Sequence, residues 1–195
     1  SYLLSSDVAK QTEAYSYFLK NANSDVNALF KLGKAYYYGY GTKKDENTAV
    51  GIFKKAAGMN YPPAFTMLGI HLIEKERDIA GGLEYLVKAV ELKDGDAGYY
   101  IGKLYDEGKI VDQNEYYAVK YYADGAKYGN ADAQYNVGIK MLKSGDKSNY
   151  ARGISYLKKS AGNNHKQACV ELSKLFITDN DFVSVSKRDH ITYLT

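Results

Sequence analysis

Small and large apolar side chains recur along this chain with the period of a helix. The first clear copy is Ala28-x-x-x-Leu32-Gly33-x-x-Tyr36, in which a small residue precedes a leucine-glycine pair and a large ring follows. Spacings of three and four place these positions on one face of a helix, which we call helix A. Further copies begin at Ala64, Ala97, Ala133 and Ala168, at intervals of 33 to 36 residues. This regular interval indicates an internal repeat.

A second phrase follows each of the first ones. Ala49-x-x-Ile52-Phe53-x-x-Ala56 also has a helical period and predicts a helix B. Matching copies begin at Gly82, Ala118 and Gly153, with shorter ones at Ala14 and His190. Glycine costs about 1 kcal/mol inside a helix, so its recurrence favours close packing of helix A against helix B. Helix B is predicted to end at residue types that accept a left-handed backbone, near Asn60, Gly129 and Asn164, whereas Lys93 departs from this pattern.

The repeat predicts an all-α fold, a right-handed α-α superhelical solenoid of stacked antiparallel helix pairs. We expect a single repeat domain over 1–195, with a half-unit at 1–24, units at 25–60, 61–93, 94–129 and 130–164, and a partial unit at 165–195. The segment Tyr38-Gly39-Tyr40-Gly41 is then a turn between helices. A phosphate-binding glycine loop is a poorer interpretation, because such a loop follows a strand.

The two phrases together resemble the Sel-one-like repeat (SLR) family, a relative of the tetratricopeptide repeat. The first unit carries the resemblance best, through Ala28, Leu32, Gly33, Tyr36, Gly39, Gly41, Asp45, Ala49 and Ala57. Later units keep the helix positions but lose the Gly-x-Gly turn, and the second unit has a shortened turn at 74–78. The resemblance implies a non-enzymatic adaptor or regulatory role, commonly in bacteria and often in the cell envelope.

Charge and composition exclude several classes of protein. The chain has 26 Lys and Arg against 23 Asp and Glu, a net charge of +3, and its basic residues are dispersed, which argues against nucleic acid as a partner. It contains no run of 18 apolar residues, so no integral membrane segment is expected. A single cysteine, Cys169, excludes an internal disulfide framework. No signal peptide is visible in residues 1–20, and the compartment stays open between cytoplasm and cell envelope.

Catalytic and metal-binding interpretations have weak support. Ser-x-x-Lys occurs three times without the partner motifs of penicillin-binding enzymes, which favours exposed helix and turn residues. The alternative from another class is a hydrolase with an unrecognised site at Ser155 or Ser184. The histidines are far apart in the sequence, so we predict no metal and no cofactor. Acidic pairs such as Asp106–Glu107 are interpreted as solvated turn residues.

The register of the related repeats predicts where a partner would bind. Certain helix-A positions face the concave surface of such a solenoid, and here they combine aromatic, aliphatic and lysine residues rather than the Glu, Lys and Gln of a solvated face. The predicted partner-binding residues are Phe30, Lys34, Tyr37, Ile70, Tyr99, Lys103, Tyr135 and Ile139. Phe30, Tyr99 and Tyr135 are predicted as anchors. Lys34 and Lys103 are predicted to pair with acidic groups of the partner.

The sequence therefore favours an interaction scaffold that grips another protein or peptide. A narrower alternative is an immunity or inhibitor protein that blocks one toxin or effector enzyme. A third is a spacer within a longer array of repeats. Since end units normally carry a polar outer face, an uncapped end would favour a homodimer.

Overall fold

A computed structural model of the chain describes residues 7–177 as a series of helices joined by short turns. The chain divides into two compact units, Ser1–Leu92 and Lys93–Thr195. The first contains α1 Val8–Asn21, α2 Val26–Tyr38, α3 Glu46–Gly58, α4 Pro62–His71 and α5 Ile79–Glu91. The second contains α6 Gly95–Glu107, α7 Glu115–Lys127, α8 Ala131–Lys143, α9 Lys147–Gly162 and α10 Lys166–Ile177.

Within each unit, helices A and B of a repeat pack against each other as antiparallel pairs. The pairs are α2 with α3 and α4 with α5 in the first unit, and α6 with α7 and α8 with α9 in the second. No strand occurs between residues 7 and 177. The all-α class and the paired helices predicted from the sequence are confirmed.

Aspartate and asparagine side chains begin almost every helix. In α3, Asp45 accepts hydrogen bonds from the Thr48 amide at 3.0 Å and from the Thr48 hydroxyl at 2.7 Å. These bonds favour the charged carboxylate and lower the pKa of Asp45. The remaining caps of this kind are Asp7, Asp25, Asp78, Asp94, Asn114, Asn130 and Asp146. Each occupies amide groups that the first helical turn leaves without partners.

The tyrosine-glycine segment after α2 is a turn, as predicted. Gly39 ends the helix in the left-handed conformation, with φ of 76°, and its amide donates to the Ala35 carbonyl. Gly41 has φ of 70° and lies directly against the Gln11 carbonyl of α1, where a side chain would collide with backbone. The glycines therefore serve backbone geometry and close approach.

The B helices of four repeats end in one shared backbone conformation. Asn60, Gly129 and Asn164 have positive φ, as their residue types predict, and Lys93 adopts the same conformation with φ of 67°. A left-handed residue with a Cβ costs roughly 1–2 kcal/mol. The position thus imposes its geometry even where the sequence departs from the pattern.

The shortened turn of the second repeat has its own structure. Helix α4 continues into one π-helical turn, Leu72–Glu76, and Arg77 follows in the left-handed conformation with φ of 60°. Asp78 then caps α5 by accepting from the Gly81 amide at 2.9 Å. A π-helical turn followed by one left-handed residue therefore takes the place of the Gly-x-Gly turn in this repeat.

Pairs of glycines bring helix A and helix B into backbone contact in three repeats. A Cβ on Gly98 of α6 would lie 2.6 Å from the Gly125 nitrogen of α7, and a Cβ on Gly125 would lie 2.8 Å from the Gly95 oxygen. Gly69 with Gly82, and Gly138 with Gly153, make backbone contacts at another position of the repeat, where a Cβ on Gly69 or on Gly153 would stand 2.7–2.8 Å from the partner's carbonyl oxygen. Only hydrogen fits at such a distance.

Replacing Gly98 by alanine is expected to destabilise the second unit. The new methyl group would press on backbone that cannot rotate away, and overpacking of this kind costs about 1–3 kcal/mol. Gly51→Ala is the matched control, because Gly51 lies within α3 with nothing near its missing Cβ. That change should raise the free energy of unfolding by up to about 1 kcal/mol through helix propensity. Urea denaturation followed by circular dichroism measures both, and equal stabilities would contradict the close contact.

Candidate partner-binding site

The second unit contains a groove with a volume of about 960 Å³. Its lining comes from the side chains of α7 and α8, the start of α9, and the end of α6. The apolar lining residues are Val119, Ala123, Tyr135, Ile139 and Met141. The polar and charged lining residues are Asp106, Glu115, Lys120, Asn136, Lys140, Lys143, Ser144, Asn149 and Arg152.

A buried amide holds α8 between the two helices that flank the groove. Gln134 is 4% exposed; its Nε2 donates to the Ala126 carbonyl at the end of α7, at 3.2 Å. Its Oε1 accepts a hydrogen bond of 3.0 Å from Asn163 at the end of α9. The Ser160 hydroxyl adds a bond of 2.7 Å to the Ala131 carbonyl at the start of α8. These bonds fix one end of all three helices and so preform the groove.

At the other end, Lys140 joins three helices by ion pairs. Its Nζ lies 2.7 Å from Asp106 Oδ1 on α6 and 2.8 Å from Glu115 Oε2 on α7. Tyr122 donates from its buried hydroxyl to Asp106 Oδ2 at 3.3 Å. The side chain of Lys140 is only 17% exposed, so the pair with Asp106 is partly shielded from water.

These contacts shift the pKa values of both buried partners. Burial raises the pKa of Tyr122 most, and the nearby charge of Asp106 raises it further, so the phenol stays protonated as a donor. Burial alone would lower the pKa of Lys140, but its hydrogen bonds to Asp106 and Glu115 outweigh that effect and raise it. Lys140 is therefore a structural cation.

Tyr135 is held in place by a histidine at the start of α10. The two rings stack with their centroids 4.6 Å apart and their planes 21° apart. His165 Nδ1 accepts from the Ala168 amide at 3.2 Å, so its Nε2 carries the proton and donates to Asp132 at 3.2 Å. This anchoring leaves Tyr135 half-buried with little rotational freedom.

Comparison with known proteins places the chain in a family. The sequence profile of the Sel1 repeat matches residues 26–61, 95–127 and 131–165. The chain belongs to the Sel1 repeat family. The matched ranges do not include 62–94, where α4 continues into the π-helical turn. Sel1 repeats generally serve as non-catalytic scaffolds for protein interactions.

Three relatives show how far this likeness extends. A 141-residue part of the chain is 30% identical to protein NMB1327 of Neisseria meningitidis, covering 72% of this chain and 28% of that protein. The crystal structure of a Sel1 repeat protein from Oxalobacter formigenes matches with a TM-score of 0.74 and 28% identity, over 94% of this chain and 77% of that one. The immunity protein PA5088 from Pseudomonas aeruginosa matches with a TM-score of 0.62 and 20% identity, over 98% and 74%.

These structures confirm the solenoid class of the predicted fold. The first relative is much longer, and this chain spans about a quarter of its length.

The structure brings some of the predicted contact residues of this Sel1 repeat protein into the groove. Tyr135 and Ile139 are half-buried and both line it. Tyr99 is half-buried and packs on Tyr122, with centroids 6.1 Å apart. Lys103 is exposed, 3.7 Å from Glu107 on its own helix. All four remain predictions as contact residues.

In the first unit, two of the predicted contact residues belong to the core. Phe30 is 9% exposed and packs against Phe53 and Tyr61, with centroids 5.6 and 5.2 Å away. Tyr37 is 6% exposed. Because both rings are buried in the core, they offer little surface to a partner, and we do not include them in the proposed site. Lys34 and Ile70 are half-buried and stay predictions.

The hydroxyl of Tyr37 contacts His71, a residue to which the sequence analysis assigned no role. It lies 3.4 Å from Nδ1 of His71, whose Nε2 is 3.3 Å from Glu76 Oε1 in the π-helical turn. Burial raises the pKa of Tyr37 to about 12, so the phenol is neutral at ordinary pH. These contacts tie α2 to the irregular turn after α4.

Sequence reasoning missed the ion pairs around Lys140. It interpreted Asp106 as a solvated turn residue, whereas Asp106 binds both Tyr122 and Lys140. The available signal was the separation of 34 residues between Asp106 and Lys140. That is one repeat length, so opposite charges at this separation can meet on adjacent A helices.

The serine sites of the hydrolase alternative gain no support. Ser155 is exposed on α9, and within residues 7–177 its hydroxyl has no hydrogen bond to a histidine or carboxylate. Ser184 lies outside the described residues. Over the same range, no cluster of three or more His, Cys, Asp or Glu side chains could hold a metal ion. None of the described helices is long and apolar enough to cross a membrane.

Removing the cation at the end of the groove is expected to destabilise the fold in a pH-dependent way. Lys140→Met should lower the free energy of unfolding by about 1–3 kcal/mol, because Asp106 loses a charged partner. Since the folded-state pKa of Lys140 is raised, the ion pairs stabilise the wild type fully below the ordinary lysine pKa, and this stabilisation is lost as the pH rises above it, through the raised pKa of the folded state. The difference between variant and wild type should therefore shrink in alkaline urea titrations. Lys54→Met, at an exposed position of α3, is the control and should show no such trend.

Phe30→Ala tests the core assignment of that ring. Loss of a buried phenylalanine costs about 3–5 kcal/mol, so thermal unfolding should occur at a clearly lower temperature. Tyr17→Ala, at a position 60% exposed on α1, provides the control and should leave the transition almost unchanged. A stable Phe30→Ala variant would return Phe30 to the set of surface candidates.

Proposed function

We propose that this protein is a non-enzymatic scaffold that binds a partner polypeptide in the groove of its second unit. The observation that carries the proposal is the groove itself, which presents Tyr135 and Ile139 at the helix-A positions predicted for partner contact. The scaffold role of the Sel1 repeat family supports the same conclusion.

The walls of the groove are suited to recognition because they are held before any partner arrives. Tyr135 stacks on His165, and α8 is tied to both flanking helices by Gln134. A partner would therefore order few of this protein's side chains on binding, which reduces the entropic cost. A half-buried aromatic ring with fixed orientation is the kind of side chain that dominates binding energy at interfaces.

An immunity role is a narrower form of the same proposal. One structural relative is described as an immunity protein, and the likeness at 20% identity extends to the fold alone. In that version the bound partner is a single toxin or effector enzyme, and binding abolishes its activity. The identity of the captured partner separates the two forms.

The test is affinity capture from the host of this protein, followed by reconstitution with the purified partner. Wild type should retain a specific protein, and the double variant Tyr135→Ala, Ile139→Ala should lose at least about tenfold in affinity, or 1.4 kcal/mol. Tyr116→Ala is the matched control, since Tyr116 is 73% exposed on α7 and does not line the groove. Circular dichroism should show the same helical content for every variant and the wild type.

Two outcomes would contradict the proposal. A partner that binds the double variant as tightly as wild type would remove the groove as the site, while leaving a binding function. If wild type retains no specific protein, the scaffold role itself fails.

A further inference from the structure

Cationic side chains outnumber carboxylates in the lining of the groove. Four cationic side chains line it, Lys120, Lys140, Lys143 and Arg152, against two carboxylates, Asp106 and Glu115. Both carboxylates point at Lys140, the least exposed of the four cations. The acidic groups are therefore already engaged within the protein.

The other three cations are exposed, and none has an acidic partner in the part of the chain that the structure describes. Within residues 7–177, none of the ion pairs involves Lys120, Lys143 or Arg152. Lys120 contacts only a ring, with its Nζ 5.1 Å from the centroid of Tyr121. Asp146, the carboxylate closest in sequence to Lys143, is occupied as the cap of α9, where it accepts from the Ser148 amide at 2.9 Å.

Their positions on three different helices surround an apolar floor. Lys120 lies on α7, Lys143 on the last turn of α8, and Arg152 on α9. Val119 and Ile139 supply apolar surface in the same groove. Arginine suits such a place because its planar guanidinium can bind a carboxylate through two parallel hydrogen bonds.

We infer that the groove recognises an acidic segment of the partner, in which Asp or Glu residues alternate with apolar ones. This inference rests on the proposed function and specifies the chemistry of its partner. The carboxylates of the segment would pair with Arg152 and Lys120 on opposite flanking helices. Its apolar side chains would cover Ile139 and Tyr135.

A defined peptide pair tests the inference by fluorescence anisotropy. The probe is a short fluorescein-labelled peptide of alternating glutamate and leucine, broken by serine for solubility; the comparison peptide has glutamine in place of every glutamate. The glutamate peptide should bind at least about tenfold more tightly at low salt. Its advantage should fall as the ionic strength rises from about 0.05 M to about 0.5 M, because salt screens exposed charges.

Charge reversal with a matched control locates the effect. Lys120→Glu with Arg152→Glu should weaken binding of the glutamate peptide at least about tenfold, or 1.4 kcal/mol, and leave the glutamine peptide unchanged. Lys54→Glu with Lys55→Glu alters the net charge equally at exposed positions of α3 that do not line the groove, and should have little effect. Circular dichroism spectra should be the same for both double variants.

The inference is overturned if the two peptides bind equally, or if both charge reversals weaken binding to the same degree. Tighter binding of a single-stranded oligonucleotide than of the glutamate peptide would also overturn it. The proposed function can hold even if this inference fails. If binding of the captured partner is lost in the Tyr135→Ala, Ile139→Ala variant but unaffected by the charge reversal, the groove binds a partner of other chemistry.

Discussion

The structure depends on how closely helix A can approach helix B. At Gly98 and Gly125, and at the glycine pairs of the second and fourth repeats, the backbones of the two helices touch, and a Cβ would lie within 3 Å of a backbone atom in each pair. This contact fixes the distance between the helices and the rotation of each about its axis. Apolar side chains pack around these contacts; the ring of Tyr122 on helix B, for example, lies against Gly102 of helix A. Close approach of the two backbones thus occurs in the second, third and fourth repeats, while in the first repeat Gly33 lies against the side chains of Phe53 and Ile52.

Packing between helices determines the side chains on one face of each helix, and the remaining positions are available for function. On α8, Val137 and Gly138 are fully buried against neighbouring helices, whereas Tyr135 and Ile139 reach the groove. The buried amide of Gln134 and the ion pairs of Lys140 hold α8 at its two ends. The rigidity of the groove is thus a consequence of polar contacts in the same repeats that the glycines position. The residues proposed to recognise a partner, Lys120 and Arg152, lie outside this framework and can vary without cost to it.

The candidate site was only partly predictable. Counting along helix A selected Tyr135 and Ile139, and both line the groove. The same count applied to the first unit selected Phe30 and Tyr37, which are buried by Phe53, Tyr61 and His71. At equivalent positions, Phe30 is covered by both Phe53 and Tyr61, whereas Tyr135 stacks on His165 and stays half-buried. A repeat register gives the direction of a side chain, and the packing around it decides the exposure.

The sequence by itself determined the helices, their pairing and the family. Periods of three and four and small residues at fixed points are local signals, and five copies of the helix-A phrase lie in register. Only the tertiary structure decided which side chains are exposed and which charges are paired. Asp106 and Lys140 are 34 residues apart and meet through the stacking of two A helices, which no local pattern encodes. Local hydrogen bonds and helix periodicity depend on residues within one helix or turn, whereas burial and ion pairing depend on how separate helices pack.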